Sequence, residues 1–364
     1  DFPWEDVSGL EGWTKAQKQT AWAAFEEIAS VTNLRFAERP NADDPEISLY
    51  RASEGLFGGR GRFDYSSQSR EWDGSVVFNV DRVLDHGRLD LILHELGHAL
   101  GLKHPGNYNL GNSLPPGPFL PDAEDNRTYS LMSYNESPDF GWPTELAMYD
   151  IAALQARFGA NMSFKTGNTS YRSPIDTDLD TIWDAGDVDT ITAKNSPVSV
   201  SIDLRQGQVS YLGNDKGLAI AYDTVIENAI GGVARDTIIG NATGNRLSGK
   251  AGDDTLRGKA GKDVLIGNGG DDFLFGDNGR DRLKGGSGND VLKGGNGNDL
   301  FFSDRGADEI AGGAGTDTYR AGSDRDNFDL TTQANGHILL TKNGETDTLI
   351  SIERIVFTDD ILAV

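Results

Sequence analysis

From residue 231 to residue 320 the chain repeats every nine residues, and that period limits what the stretch can fold into. Ten units stand in register: GGVARDTII, GNATGNRLS, GKAGDDTLR, GKAGKDVLI, GNGGDDFLF, GDNGRDRLK, GGSGNDVLK, GGNGNDLFF, SDRGADEIA and GGAGTDTYR. The sixth place is acidic in every unit but one: Asp236, Asn245, Asp254, Asp263, Asp272, Asp281, Asp290, Asp299, Asp308 and Asp317. The eighth is always apolar, from Ile238 and Leu247 through Leu292 and Phe301 to Ile310 and Tyr319. Glycines at the first and fourth places permit tight, partly left-handed turns. The short strand after each turn puts its one large apolar residue inside, and two units make one coil of a parallel β-roll. Stacked coils bring aspartates 18 residues apart into line, for example Asp254, Asp272 and Asp290. Bare rows of carboxylates repel one another. Calcium, an oxygen-seeking ion of roughly 6–8 ligands, bridges them with help from the carbonyls of the turns. A flexible glycine-rich linker needs neither an invariant apolar place nor a fixed acid.

The expected calcium ligands follow the period. They are Gly232 and Asp236, then Gly249, Ala251, Gly252 and Asp254, then Gly258, Ala260, Gly261 and Asp263. Next come Gly267, Gly269, Gly270 and Asp272, with Gly276, Asn278, Gly279 and Asp281. The series runs on through Gly285, Ser287, Gly288 and Asp290, and through Gly294, Asn296, Gly297 and Asp299. It ends with Asp308, Gly312, Ala314 and Asp317. Asn245 replaces one aspartate, and Ala234 and Thr243 replace turn glycines, so the first sites are expected to be weak or empty.

With 364 residues the chain can hold two domains, each with a core of its own. Its 33 Lys and Arg against 57 Asp and Glu, a net charge of −24, argue against a nucleic-acid partner. Without a cysteine, disulfides and thiolate metal sites are excluded, so a transition metal must be held by His and carboxylate. No apolar run approaches ~18 residues, so no membrane span is expected. The opening Asp1-Phe2-Pro3-Trp4 has neither a basic nor an apolar leader region.

The first ~165 residues mix helical and alternating periods, the pattern of an α+β domain. Helical spacing predicts helices over Ala16 to Ser30, with Trp22, Phe25 and Ile28 on one face, over Leu89 to Leu100, ended by Gly101, and over about Glu145 to Phe158, closed by Gly159. Ile47 to Tyr50 and Val76 to Val80 alternate as strands.

Within the second of these helices, His94 and His98 stand four residues apart and project from one face, so both imidazoles reach one metal. Glu95 lies one residue round and faces a metal-held water. Gly101 lets the chain turn sharply and swing His104 back as a third ligand, leaving an open coordination position. His86 and His337 lack such company. The stretch Ser130-Leu131-Met132-Ser133-Tyr134 suits a tight turn whose methionine makes a soft floor under the imidazoles.

By these motifs the chain resembles the serralysins, a metzincin family of metalloproteases. Tyr149 to Gln155, Val225 to Gly232 and the nonads extend the match over nearly the full length. The resemblance implies an α+β metzincin zinc-protease domain over 1–165. A calcium-binding all-β parallel β-roll (RTX) domain would follow over 166–364, with a strand-rich cap over Asn327 to Val364. It implies zinc on His94, His98 and His104, Glu95 as general base, and Tyr134 as a phenol that ligates zinc at rest and hydrogen-bonds the oxyanion in catalysis. It also implies calcium sites ahead of the nonads, formed by Lys165, Gly167, Thr169, Asp184, Gly186, Asp187, Asp189, Val225 and Glu227.

Three departures from the family stand out: Asn135 replaces the usual Trp, Leu110 to Asp125 is proline-rich, and Arg51 to Gln68 is rich in glycine and arginine. The function implied is a secreted, extracellular bacterial zinc endopeptidase acting on proteins or peptides. A monomer, a proteinaceous periplasmic inhibitor and a type I secretion apparatus belong to the same expectation. The C-terminal Asp359 to Val364, acids followed by apolar residues, resembles the uncleaved signal of that route, and the missing inhibitory prosegment suggests a mature form. A narrow processing peptidase and an inactive calcium-dependent adhesion protein are the alternatives.

Overall fold

The computed structural model describes residues 4–8, 10, 13–38, 47–52, 59–65, 72–79, 88–106, 118–173, 178–302 and 304–364. Residues 1–3, Val80, His86, residues 110–117, and residues 53–58 and 66–68 of the Arg51 to Gln68 stretch lie outside the described residues. The chain divides into two compact units, Asp1–Thr166 with Pro174–Ala185, and Gly167–Ser173 with Gly186–Val364. No helix among the described residues is long and apolar enough to cross a membrane.

In the first unit α1 spans Lys15–Val31. Thr14 and Gln17 cap it reciprocally, each side chain accepting the other's backbone N–H. Its buried face is Ala21, Ala24, Phe25, Ile28 and Val31. Trp22 is only half-buried, its ring 5.3 Å from that of Phe25. Strands β1 (Trp4–Ser8), β2 (Arg35–Glu38), β3 (Ile47–Ala52), β4 (Gly59–Tyr65) and β5 (Trp72–Asn79) form a sheet in the order β2-β1-β3-β5-β4, antiparallel only between β4 and β5.

The helix α2, Leu89–Ala99, buries Ile92, Leu93 and Leu96 completely, so apolar contact on several sides fixes it in the core. In its first turn buried Asp90 accepts from Arg88 and from buried Arg127, which suits the positive end of the helix dipole. α3 spans Met148–Phe158, three residues shorter at its start than the periodicity suggested. The reason is local: Glu27 takes the Leu146 N–H and Asp150 takes the Ala147 N–H, so these amides are satisfied outside the helix. Gly159, at φ 78°, ends it.

The second unit is a parallel β-roll. Alternate nonads feed two sheets, for example Thr255–Gly261, Phe273–Gly279 and Val291–Asn296 in one, and Arg246–Ala251, Val264–Gly269 and Arg282–Ser287 in the other. Partners lie 18 residues apart, as in Leu256↔Leu274 and Leu265↔Leu283. Every eighth-place residue from Ile238 to Tyr319 is at most 1% exposed, so the interior is one file of apolar side chains per sheet.

The glycine logic differs from expectation in one respect. Positive φ occurs at the second and fourth places, as at Lys250 (90°) and Gly252 (107°), and not at the first. First-place glycine is required by space instead: a Cβ on Gly249 would stand on the Asp254 carboxylate, which folds back over it. Beyond the repeats, Glu345–Ile350 and Arg354–Val356 continue the two sheets in parallel, through Ile310↔Leu349 and Tyr319↔Ile355. Antiparallel strands Ile338–Lys342 and Ile361–Ala363 then cover those edges.

Candidate metal centres

Gly101, at φ 91°, turns the chain out of α2 and returns His104 to the face carrying His94 and His98. The His104 Nε2 lies 3.2 Å from that of His94 and 3.0 Å from that of His98. His94 Nδ1 donates to the Leu131 carbonyl at 3.1 Å and His98 Nδ1 to the Leu102 carbonyl at 3.0 Å. A carbonyl can only accept, so each neutral ring keeps its proton on Nδ1 and turns a bare lone pair inward.

The rings are neutral. Burial, with the His98 charge second, pushes His94 down to about 3 and His104 down to about 4, and burial lowers His98 as well. The inward lone pairs of His94 and His98, converging with the His104 Nε2, suit a cation held between the rings. Tetrahedral zinc, with Zn–N near 2.0–2.1 Å, sets its ligand nitrogens about 3.3 Å apart, close to what is found here. The donor set therefore fits zinc.

Glu95 is 9% exposed on the same helix. The Tyr134 ring is centred 4.3 Å from that of His104 and 5.8 Å from that of His94. Burial, and then the charge of Glu95, raise the Tyr134 pKa, which keeps the phenol protonated. Met132 is buried, and its sulfur packs on Gly97 so closely that a Cβ there would stand 2.7 Å from Sδ. That explains a glycine between the two helix histidines.

The methionine turn is pinned from behind by Asp150, which accepts from the Ser130 hydroxyl (2.7 Å) and the Leu131 N–H (2.6 Å). Asn135, replacing the family's Trp, closes the loop by donating to the Asp125 carbonyl. A cavity of about 370 Å³ opens beside His104, lined in part by Leu102, Phe119, Leu120, Met132 and Tyr149. His337 is placed in a hairpin of the second unit, away from any such group.

The roll aspartates form two ladders. In one, the N–H groups of Asp236, Asp254, Asp272 and Asp290 donate to Oδ1 of the aspartate 18 residues on. In the other, Asn245, Asp263, Asp281 and Asp299 do the same. The second oxygen of Asp254, Asp263, Asp272, Asp281, Asp290, Asp299 and Asp317 is buried without a hydrogen-bond partner. Burial first, and mutual repulsion next, raise Asp254 and Asp272 to about 7 and Asp281 to about 6.

Leaving such an oxygen unpaired is costly, and rows of them match a hard, oxygen-seeking cation. The start of the ladders is different. Asp236 has both oxygens taken, by the N–H groups of Val200 and Gly232, although it was expected to be a ligand. Asn245 spends its amide on the Glu227 carbonyl and on Asn241. The unmet demand for a cation therefore begins at Asp254 and Asp263.

Ahead of the nonads, the second unit joins several expected ligands. Asp189 Oδ1 accepts from the Thr169 N–H at 2.7 Å, and the Asp189 N–H donates to Glu227 at 2.8 Å. Gly167 accepts the Thr169 hydroxyl, Gly186 and Asp187 have positive φ, and Val225 is exposed. Lys165 and Asp184 belong to the first unit, Asp184 being buried. The sequence reading missed Asp90, Arg127 and Asp150, and also Asp347 and Glu353, which accept from the Asp308 and Asp317 N–H groups and continue the ladders into the cap. No short-range motif marks them, because each acts across 19 or more residues.

The first unit carries a zinc-compatible histidine triad and the second a parallel roll of aspartate ladders, two features that together describe a metal-binding chain with a calcium-type repeat. Comparison with known proteins shows what the chain is similar to. A profile of the RTX calcium-binding nonapeptide repeat (4 copies) matches residues 226–256, 239–274, 248–283, 275–310 and 294–328. The chain is similar to Serralysin G of Dickeya chrysanthemi, 35% identical over 279 residues, 68% of this chain and 58% of that protein. Similarity extends to the Metallopeptidase AprA of Pseudomonas marginalis, 30% identical over 66% of this chain and 57% of the relative. With the Proteus mirabilis serralysin the identity is 34%, over 65% and 56%. The chain thus spans under three-fifths of the length of these relatives. Together these similarities support a serralysin-type metalloprotease with RTX repeats.

Proposed function

We propose that the chain is a secreted zinc endopeptidase that hydrolyses peptide bonds in extracellular proteins, with a catalytic domain over 1–165 and a calcium-folded β-roll domain over 166–364. The observation that carries the reading is the convergence of three imidazole Nε2 atoms, two of them with Nδ1 committed to a backbone carbonyl. His94, His98 and His104 would hold the metal, and Tyr134 would be its further ligand at rest. Bound zinc supplies a Lewis acid that lowers the pKa of water toward ~7 and polarises the scissile carbonyl. Glu95 takes the proton of the attacking water and delivers it to the leaving amine. Tyr134, protonated, donates a hydrogen bond to the tetrahedral oxyanion.

Calcium would be held by the ladder aspartates with turn carbonyls, and ahead of them by Asp189, Glu227 and their neighbours. A monomer, export by a type I apparatus and control by a proteinaceous periplasmic inhibitor complete the reading. Metal analysis of the purified chain with a casein hydrolysis assay tests it. One zinc per chain and hydrolysis that stops on zinc removal and returns on zinc readdition are expected. A zinc-loaded chain that leaves casein intact would turn the reading toward a calcium-dependent adhesion protein.

A further inference from the structure

Asp304 stands at the second place of its nonad, where Gly286, Gly295 and Gly313 stand in neighbouring units. The repeat pattern gives a side chain at this place no task. Asp277, the aspartate at the same place three units earlier and in the other ladder, turns to Arg257 at 3.4 Å. Asp304 turns inward. Both of its carboxylate oxygens are buried without a well-formed hydrogen bond, and the nearby Gly286 N–H and Lys284 ammonium only partly offset its burial.

Ligand atoms of Asp290, Asp304 and Asp308 lie within 4.8 Å of one another, the only carboxylate trio so placed among the described residues. Asp290 is 1% exposed, and its Oδ2 is also unpartnered. Burial and then the Asp290 charge push Asp304 up to about 7; burial first, with Asp347 and Asp304 among its acidic neighbours, pushes Asp308 up to about 8. Three acids held this close, with no cation paired to them, have the chemistry of a divalent oxygen-binding site.

We propose that the Asp304 carboxylate ligates calcium together with Asp290 and Asp308, which makes this rung the tightest cation site of the roll. The proposal rests on the reading of the repeats as calcium-binding and adds a ligand outside their pattern. The other rungs among the described residues bring together at most two such carboxylates, whereas this one has three, and calcium affinity rises with ligand charge. The site lies one coil from the strands that continue the roll into its cap, so the capped end would hold its ion last as calcium is withdrawn.

The test is a calcium titration of the full zinc-loaded chain in buffered CaCl2, by calorimetry and circular dichroism, for wild type, Asp304→Asn, Asp304→Gly and Asp277→Asn. Asp304→Asn and Asp304→Gly should weaken the tightest binding step by at least about 10-fold, with an unchanged β-signal at millimolar calcium. Asp277→Asn should leave that step in place. A tightest step retained in both Asp304 variants, or weakened equally by Asp277→Asn, overturns the proposal. A wild-type chain that binds no calcium overturns the reading of the repeats instead, so the two failures are distinguishable. If Asp304→Asn fails to fold, Asp304→Gly, which restores the residue found in neighbouring units, still decides.

Discussion

Glu95 and Tyr134 are two residues that the zinc-site geometry separates by role. Glu95 shares α2 with two histidines whose lone pairs are fixed by backbone carbonyls, so replacing it leaves the metal cage intact. Glu95→Gln should keep one zinc per chain and lose at least about 10²-fold in turnover; an active variant would refute its role as base. Tyr134, beside His104 and nearly half exposed, has room to change partners during a reaction. Tyr134→Phe should lower kcat far more than it changes KM, since its hydrogen bond is made mainly in the transition state. A change confined to KM would make Tyr134 a substrate-binding residue.

At the scale of elements, the methionine turn and α2 are joined through His94. Asp150 at the start of α3 holds the Leu131 amide, and the Leu131 carbonyl in turn holds the His94 Nδ1 proton. Asp150→Asn turns one acceptor into a donor facing amides and a hydroxyl, so the turn should shift and the imidazole lose its anchor. Zinc affinity should fall about 10–100-fold, the usual effect of losing an outer partner of a ligand, while far-ultraviolet circular dichroism stays unchanged. Competition with a chromophoric chelator measures this, and an unaltered zinc affinity would exclude a positioning role for Asp150.

For the whole molecule, the decisive quantity is the charge stored in the roll. Each nonad contributes one large buried apolar side chain against many ordered glycines, so burial alone opposes a large entropy cost. EGTA should abolish the β-signal of residues 231–320 and lower the melting temperature; calcium should restore both, and zinc should not. A roll that stays folded and protease-resistant in EGTA would show calcium to be incidental. The same aspartates set a pH dependence in calcium-free buffer. Burial and mutual repulsion raise their folded pKa values to about 6 to about 8, above the ordinary carboxylate range, so the folded state binds more protons than the unfolded one. The stability they contribute is present below about pH 4 and is lost as pH rises through about 6 to 8. In buffer stripped of calcium, circular dichroism should therefore show more residual roll structure at pH 5 than at pH 8, and the reverse order would contradict the buried, unpaired oxygens.

The ninefold period determined the parallel roll, its 18-residue register and the buried eighth place, because each coil is built from local turns and a strand with one apolar residue. His94, His98 and His104 were equally legible, since a helical spacing of four and a glycine turn bring them together over eleven residues. The tertiary structure alone decided the rest. It showed that first-place glycines yield to a folded-back carboxylate, that Asp236 and Asn245 are satisfied by backbone and amide partners, and that Glu27 and Asp150 delay the start of α3. It also brought Asp150 to the methionine turn and Asp304 to Asp290 and Asp308. Each of these depends on where a polar atom finds, or fails to find, a partner distant in the chain, and hydrogen-bond satisfaction at that range leaves no period in the sequence to read.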